Sequence, residues 1–113
     1  MSIQFYQIDQ VRENSTSPVS LFSLSVDMRQ AQIYLKIANT SNAGALARVF
    51  HDASGSTFDE TTALVWDLKI LPGEFLEVDH IFMSILNPSG TIGYRTSVAN
   101  ALTATVYGIV DRL

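Results

Sequence analysis

The sequence predicts an all-β fold: a β-sandwich or jelly-roll-like domain of about eight antiparallel strands. Three observations predict it. Apolar and polar residues alternate at period two along most of the chain, as in strands that bury one face. Turn signals rich in Asn, Gly, Pro and Ser recur at intervals of roughly 8–12 residues. Sustained helical periodicity is missing, which leaves at most one short helical turn near 58–63.

The first strand is expected over 3–9, with Ile3 and Phe5 on one face and Tyr6 and Ile8 on the other. QVRENSTSP (10–18) is polar, ends in proline and reads as a linker. Segment 19–26 places Phe22, Leu24 and Val26 on one face. Segment 30–39 does the same with Ile33, Leu35 and Ile37. The run NTSNAG tolerates positive φ, and ALARVFHD follows it, so a hairpin is expected there.

DASGST is a loop, and Thr57 with Glu60 has capping-box spacing for the single helical turn. Leu64, Trp66, Leu68 and Ile70 alternate with Val65, Asp67 and Lys69, and Pro72-Gly73 ends that strand. Segments 74–79 and 80–86 read as two further stretches of strand, closed by Asn87-Pro88-Ser89-Gly90. Segments 91–98 and 102–111 complete the series. The last is apolar or small on both faces and is expected in the middle of a sheet.

A chain of 113 residues forms one core. The expected division is an N-terminal strand and linker, 1–18, followed by a sandwich, 19–113. With 47% hydrophobic and 16% charged residues, the chain is not a disordered tail. A net charge of −4 and a pI near 4.8 argue against nucleic acid as a partner. Zero cysteines exclude disulfides, thiolate metal sites and a cysteine nucleophile. No signal peptide and no membrane-length apolar run is read in the sequence, so no membrane partner is expected. Lysine is confined to Lys36 and Lys69. Sheet edges are commonly guarded by lysine, so scarce lysine points to edges that are closed or covered by a neighbour.

No chemical motif stands out. His51-Asp52 and Asp79-His80 are adjacent pairs whose side chains leave a strand on opposite faces, so neither converges by itself. The oxygen-rich stretch 52–60 misplaces its glycine for a helix–loop–helix calcium site. Twelve serines and two histidines make chance pairing easy, and no serine sits in a glycine-flanked nucleophile elbow. No enzymatic activity, catalytic residue, cofactor or metal is therefore expected. Trp66, Tyr34, Tyr94 and Tyr107 could form a sugar-stacking platform, but packing is the favoured role for such rings. The interface residues expected are Ile3, Phe5, Tyr6 and Ile8. Their strand either folds back as a sheet edge or reaches a neighbouring subunit.

The runs LKIANTSNAGALARVFHD and STFDETTALVWDLKILPGEFLEVD carry a resemblance. With Ile37-Ala38-Asn39-Thr40-Ser41 and Pro72-Gly73-Glu74 at their turns, they resemble small β-sandwich virion proteins of tailed bacteriophages. The resemblance covers about 90 residues from Val19 onward, and the apolar run 81–86 departs from it, the group often being more polar there. It implies a non-enzymatic structural protein of a phage particle, foremost a capsid decoration or cement protein. A neck, tail or fibre component, including a carbohydrate-binding module, is the alternative. The partners implied are copies of itself and other virion proteins such as the major capsid protein. The location implied is the virion, after synthesis in the host cytoplasm.

Overall fold

The computed structural model describes residues 2–84 and 90–112, with backbone alone for 2–6 and 80. Eight strands form among these residues: β1 (Ser2–Arg12), β2 (Val19–Ser23), β3 (Met28–Asn39), β4 (Ala45–Asp52), β5 (Ala63–Ile70), β6 (Phe75–Ser84), β7 (Thr91–Thr96) and β8 (Leu102–Arg112). The one helical element is a 3-10 turn, Glu60–Thr62. The first sheet runs β1-β8-β3-β6 and the second β2-β7-β4-β5, with every pairing antiparallel. This strand order makes the sandwich a jelly roll.

The core lies between the sheets and is built by the alternation read in the sequence. Ile33, Leu35 and Ile37 of β3, with Leu102, Ala104 and Val106 beside them on β8, share one core cluster with Ala47 and Val49 of β4 and Ile92 of β7 in the other sheet, all fully buried. Burying a branched aliphatic side chain completely contributes about 1.5–3 kcal/mol. β8 lies between β1 and β3, inside its sheet as the sequence reading expects.

Several elements differ from the sequence reading. β3 and β4 are not a hairpin, because they belong to different sheets. Only β4 and β5 are both consecutive and paired. The NTSNAG turn instead crosses from sheet to sheet. β2 ends at Ser23, and the Met28 N–H donates to the Ser25 carbonyl at 3.0 Å, so Val26 lies exposed on a turn. The segments 74–79 and 80–86 are one strand as far as Ser84, with a bulge. Ile33 pairs with Ile81 and Leu35 with Val78, so Asp79 and His80 together oppose Tyr34. Ile85, Leu86 and the turn residues Asn87, Pro88 and Ser89 lie outside the described residues. The helical turn is capped by Asp59 and Thr62, not by Thr57 and Glu60. Aspartate accepts from the N–H two residues on, and Glu60 is already inside the turn.

The two turns that carried the resemblance are joined. The buried Asn39 donates through its amide to the Ala43 and Ile70 carbonyls, both at 2.8 Å, and accepts from the Ser41 N–H at 3.0 Å. Its backbone pairs with the other turn, Asn39 N–H to Glu74 O at 3.0 Å and Gly73 N–H to Asn39 O at 3.1 Å. Leu71-Pro72-Gly73-Glu74 closes with a 3.0 Å bond, and Gly73 takes φ 82°, as a type II turn requires at that position.

Candidate interaction surface

The interface residues expected from the sequence lie on β1. Its backbone pairs with β8 from Ser2 opposite Arg112 to Arg12 opposite Thr103, so in this structure β1 is the edge of its own sheet. The side chains of Ile3, Phe5 and Tyr6 lie outside those described. Ile8 packs against the core, meeting Ile33 over Gly108. β1 continues through Arg12, and the segment after it is tied down. The hydroxyl of the buried Tyr94 accepts from the Glu13 N–H and donates to the Val11 carbonyl, both at 3.1 Å. The Arg95 guanidinium donates to the Thr16 carbonyl at 2.8 Å, and the Asn100 N–H to the Glu13 carbonyl at 2.9 Å.

A second surface was missed in the sequence. Nine large hydrophobic side chains are exposed among the described residues, and six of them are Leu64, Trp66, Leu68, Leu71, Phe75 and Phe82. All six lie on β5, β6 or the turn joining them, and each of these strands is one of the two edges of its sheet. The signal for this flank was present in strand 64–70, where Val65 adds an apolar residue to the phase opposite Leu64, Trp66 and Leu68, whereas scarce lysine did not mark it, since Lys69 lies on β5 and Lys36 over Phe75.

The arrangement at Trp66 follows from an irregularity in β5. Ala47 pairs with Leu68 and Val49 with Val65, so Trp66 and Asp67 together oppose Arg48. Asp67 takes φ 53°, a left-handed conformation that Asp tolerates better than most residues. Its carboxylate accepts two bonds from Arg48, at 2.6 and 3.0 Å. The same guanidinium lies over the Trp66 ring, 3.6 Å from its centroid. Arg48 holds the Asp67 carboxyl below its ordinary range, and Asp67 raises Arg48. Phe50 is buried beneath, stacked on Phe58 at 5.5 Å and edge-on to Trp66 at 6.4 Å. Gly93 makes room for this cluster, since a Cβ there would lie 2.6 Å from the Phe58 ring.

The outer face of the first sheet carries Tyr34 against Tyr107 at 6.0 Å and Lys36 over Phe75 at 4.4 Å. The Tyr34 hydroxyl is pushed up to about 12 by its hydrogen bond to the Glu77 carboxylate. Trp66, Tyr34, Tyr94 and Tyr107 therefore form no single platform. Trp66 is on one sheet, the Tyr34–Tyr107 pair is on the other, and Tyr94 is in the core.

Polar side chains of the 52–60 loop serve its backbone. Asp52 accepts from the Thr57 and Ser54 N–H groups at 2.9 and 3.1 Å, which lowers its pKa. Among the described residues, no three His, Asp or Glu side chains converge as metal ligands. No helix there is long and apolar enough to cross a membrane.

The arrangement offers apolar contact and edge pairing. No family model matches the chain, and no curated protein matches it. Solved structures share its fold. One is from the Bacillus endospore appendages, described as a family of disulfide-linked pili, at TM-score 0.60 and 12% identity over 99% of this chain and 89% of that one. Another belongs to the T13 particle of infectious bursal disease virus (IBDV), at TM-score 0.53 and 14% identity over 97% of this chain and 31% of that one. A third is VP2 in the subviral particle of the same virus, at TM-score 0.51 and 16% identity over 97% and 33%. This chain thus spans about a third of the viral chains it resembles and most of the pilus chain.

Proposed function

We propose that this protein is a non-enzymatic structural subunit of a virus particle, and more narrowly a bacteriophage capsid decoration protein that cements the shell. The observation that carries this reading is the apolar flank of β5 and β6. It leaves two sheet edges open and six large hydrophobic side chains in water along those strands and the turn between them, a pattern that marks an assembly surface. The jelly-roll fold shared with viral particle chains supports it. A standard interface covers about 800 Å² per partner, a modest share of the 5902 Å² surface here. Many such contacts at symmetric positions multiply a modest affinity. The partners are copies of itself and the major capsid protein, and the location is the virion.

The proposed mechanism is adhesion through the flank, with β1 and its Ile3, Phe5, Tyr6 and Ile8 as a strand that can be exchanged between copies. A tail or fibre component is the second reading. It is favoured by the likeness to a pilus subunit along nearly its whole length. With no cysteine, a filament of this chain would be held without disulfides.

The test compares wild type with the double variant Leu64→Lys, Leu68→Lys. Light scattering should give a mass above 12.4 kDa for wild type and a folded monomer for the variant. Wild type, and not the variant, should co-sediment with parent-phage heads lacking the protein and raise the temperature at which they open. A wild-type monomer that ignores the heads sinks the proposal. Binding to tails alone moves it to the second reading.

A further inference from the structure

On the reading of the β5–β6 flank as the assembly surface, we propose that a second copy of this chain joins it through side chains alone, because both edge strands there are interrupted against an added strand. A sheet edge recruits strands from other chains because its N–H and C=O groups stand unpaired in a row. A bulge adds an unpaired residue, bends the strand and tightens its twist, so the row is broken. Every edge strand of this sandwich carries such a residue: Ile8 is the extra one in β1, and Leu21 in β2. In β6, Asp79 and His80 together oppose Tyr34. In β5 there are two breaks, at Leu64 and at the Trp66–Asp67 pair. The inner β4–β7 ladder runs unbroken, and among the described residues Arg29, second in β3, is the one extra residue of an inner strand.

The breaks leave little for a ladder. β5 offers no uninterrupted run longer than 68–70, and β6 offers 75–78 and 81–84. Strands commonly run about five or six residues. Edge pairing is left to β8, which carries no extra residue and receives β1. The break in β5 also makes the anchor for side-chain contact. Because Trp66 and Asp67 share one position opposite Arg48, the ring and the carboxylate reach the same guanidinium. A regular strand would place a single residue there. Trp and Arg dominate the energetics of many interfaces, and holding them in place before contact lowers the cost of binding. Charge points to a second copy as the occupant. Asp67 is already paired with Arg48, so β5 presents the exposed Lys69, while β6 presents the exposed Glu77 and Asp79. β5 of one copy against β6 of the other brings opposite charges together, whereas β6 against β6 sets acid against acid.

Amide hydrogen exchange on assembled wild type, compared with the monomeric Leu64→Lys, Leu68→Lys variant, tests the mode of contact. Side-chain burial should slow the amides of β5 and β6 by less than about tenfold, and a hydrogen-bonded ladder by far more. Slowing beyond that limit along either strand overturns the proposal. Deleting Leu64 and Asp67 together restores one-to-one pairing of β5 with β4. Deleting Asp79 does the same for β6 with β3. Growth of either folded variant into open-ended, thioflavin-positive assemblies is the expected result; if both stay as small as wild type, the proposal falls. The exchange comparison decides where neither deletion folds. Mixed Lys69→Cys and Glu77→Cys chains should form disulfide dimers between the two variants, and Glu77→Cys chains linking equally well to each other would refute the orientation. Wild type that binds phage heads as a monomer refutes this mode of joining but not the assembly reading. A flank-to-flank dimer that ignores the heads does the reverse.

Discussion

Gly93 shows how one missing side chain sets up a surface. On β7 it lies opposite Phe50, and the Phe58 ring covers the space its side chain would fill. The ring seals Phe50 on the outer face of the second sheet, where a buried phenylalanine would otherwise be unexpected. Gly93→Ala should push Phe58 off this seat and destabilise the fold by about 1–3 kcal/mol, the usual cost of overpacking. Urea unfolding would measure that loss. Emission from Trp66, the single tryptophan, should shift at the same time because Phe50 packs against it. A variant as stable as wild type would mean that the cluster is not packed as described.

At the scale of the element, β1 is held at its far end by one hydroxyl. Tyr94→Phe removes the acceptor for the Glu13 N–H and the donor to Val11, at a cost of about 1–3 kcal/mol. Amide exchange should quicken in β1 before it quickens in β3. Uniform change across the first sheet would show that β1 is not a separately releasable unit. Removal of residues 1–17 is a poorer probe, because it strips an eleven-residue strand from β8.

The strands were legible because period-two alternation reports burial directly, as Ile33, Leu35 and Ile37 illustrate. Pairing was not legible. The Asn-rich turn after β3 looks like a hairpin locally, but its destination depends on Asn39 meeting Gly73 and Glu74 of a distant turn. The bulge at Asp67 was hidden for a similar reason, since it depends on Arg48 in the neighbouring strand. Both turns behind the resemblance prove to be joints of the fold. They speak to architecture and not to chemistry.

At the scale of the whole molecule, ionisable groups set a pH window for stability. The carboxyls of Asp27, Asp52, Asp59 and Asp67 all lie below their ordinary 3.8. The respective main causes are the Ser25 hydroxyl, the Thr57 N–H, the Thr61 hydroxyl and Arg48. Their stabilisation is complete above 3.8 and is lost as pH falls through the lowered values. His51 is lowered from 6.5 by burial, so its contribution is complete above 6.5 and fades below. Tyr34 is raised from 10 to about 12, so its contribution is complete below 10 and disappears as pH climbs through 12. Urea midpoints should therefore form a plateau between about pH 6.5 and 10. His51→Gln should flatten only the first acidic decline, and Tyr34→Phe only the alkaline one. A curve that peaks near the pI of 4.8 would contradict this account.

The pairing of β1 with β8 joins strands about a hundred residues apart in the chain, and this orders events during biosynthesis. On the ribosome the leading strand emerges about a hundred residues before its partner and must wait for it. Closing so long a loop is slow, and the open edge of β8 is on offer until it closes. In a crowded translation site the first strand to arrive can come from another copy. Exchange between newborn chains would then compete with self-closure most strongly before each fold is sealed.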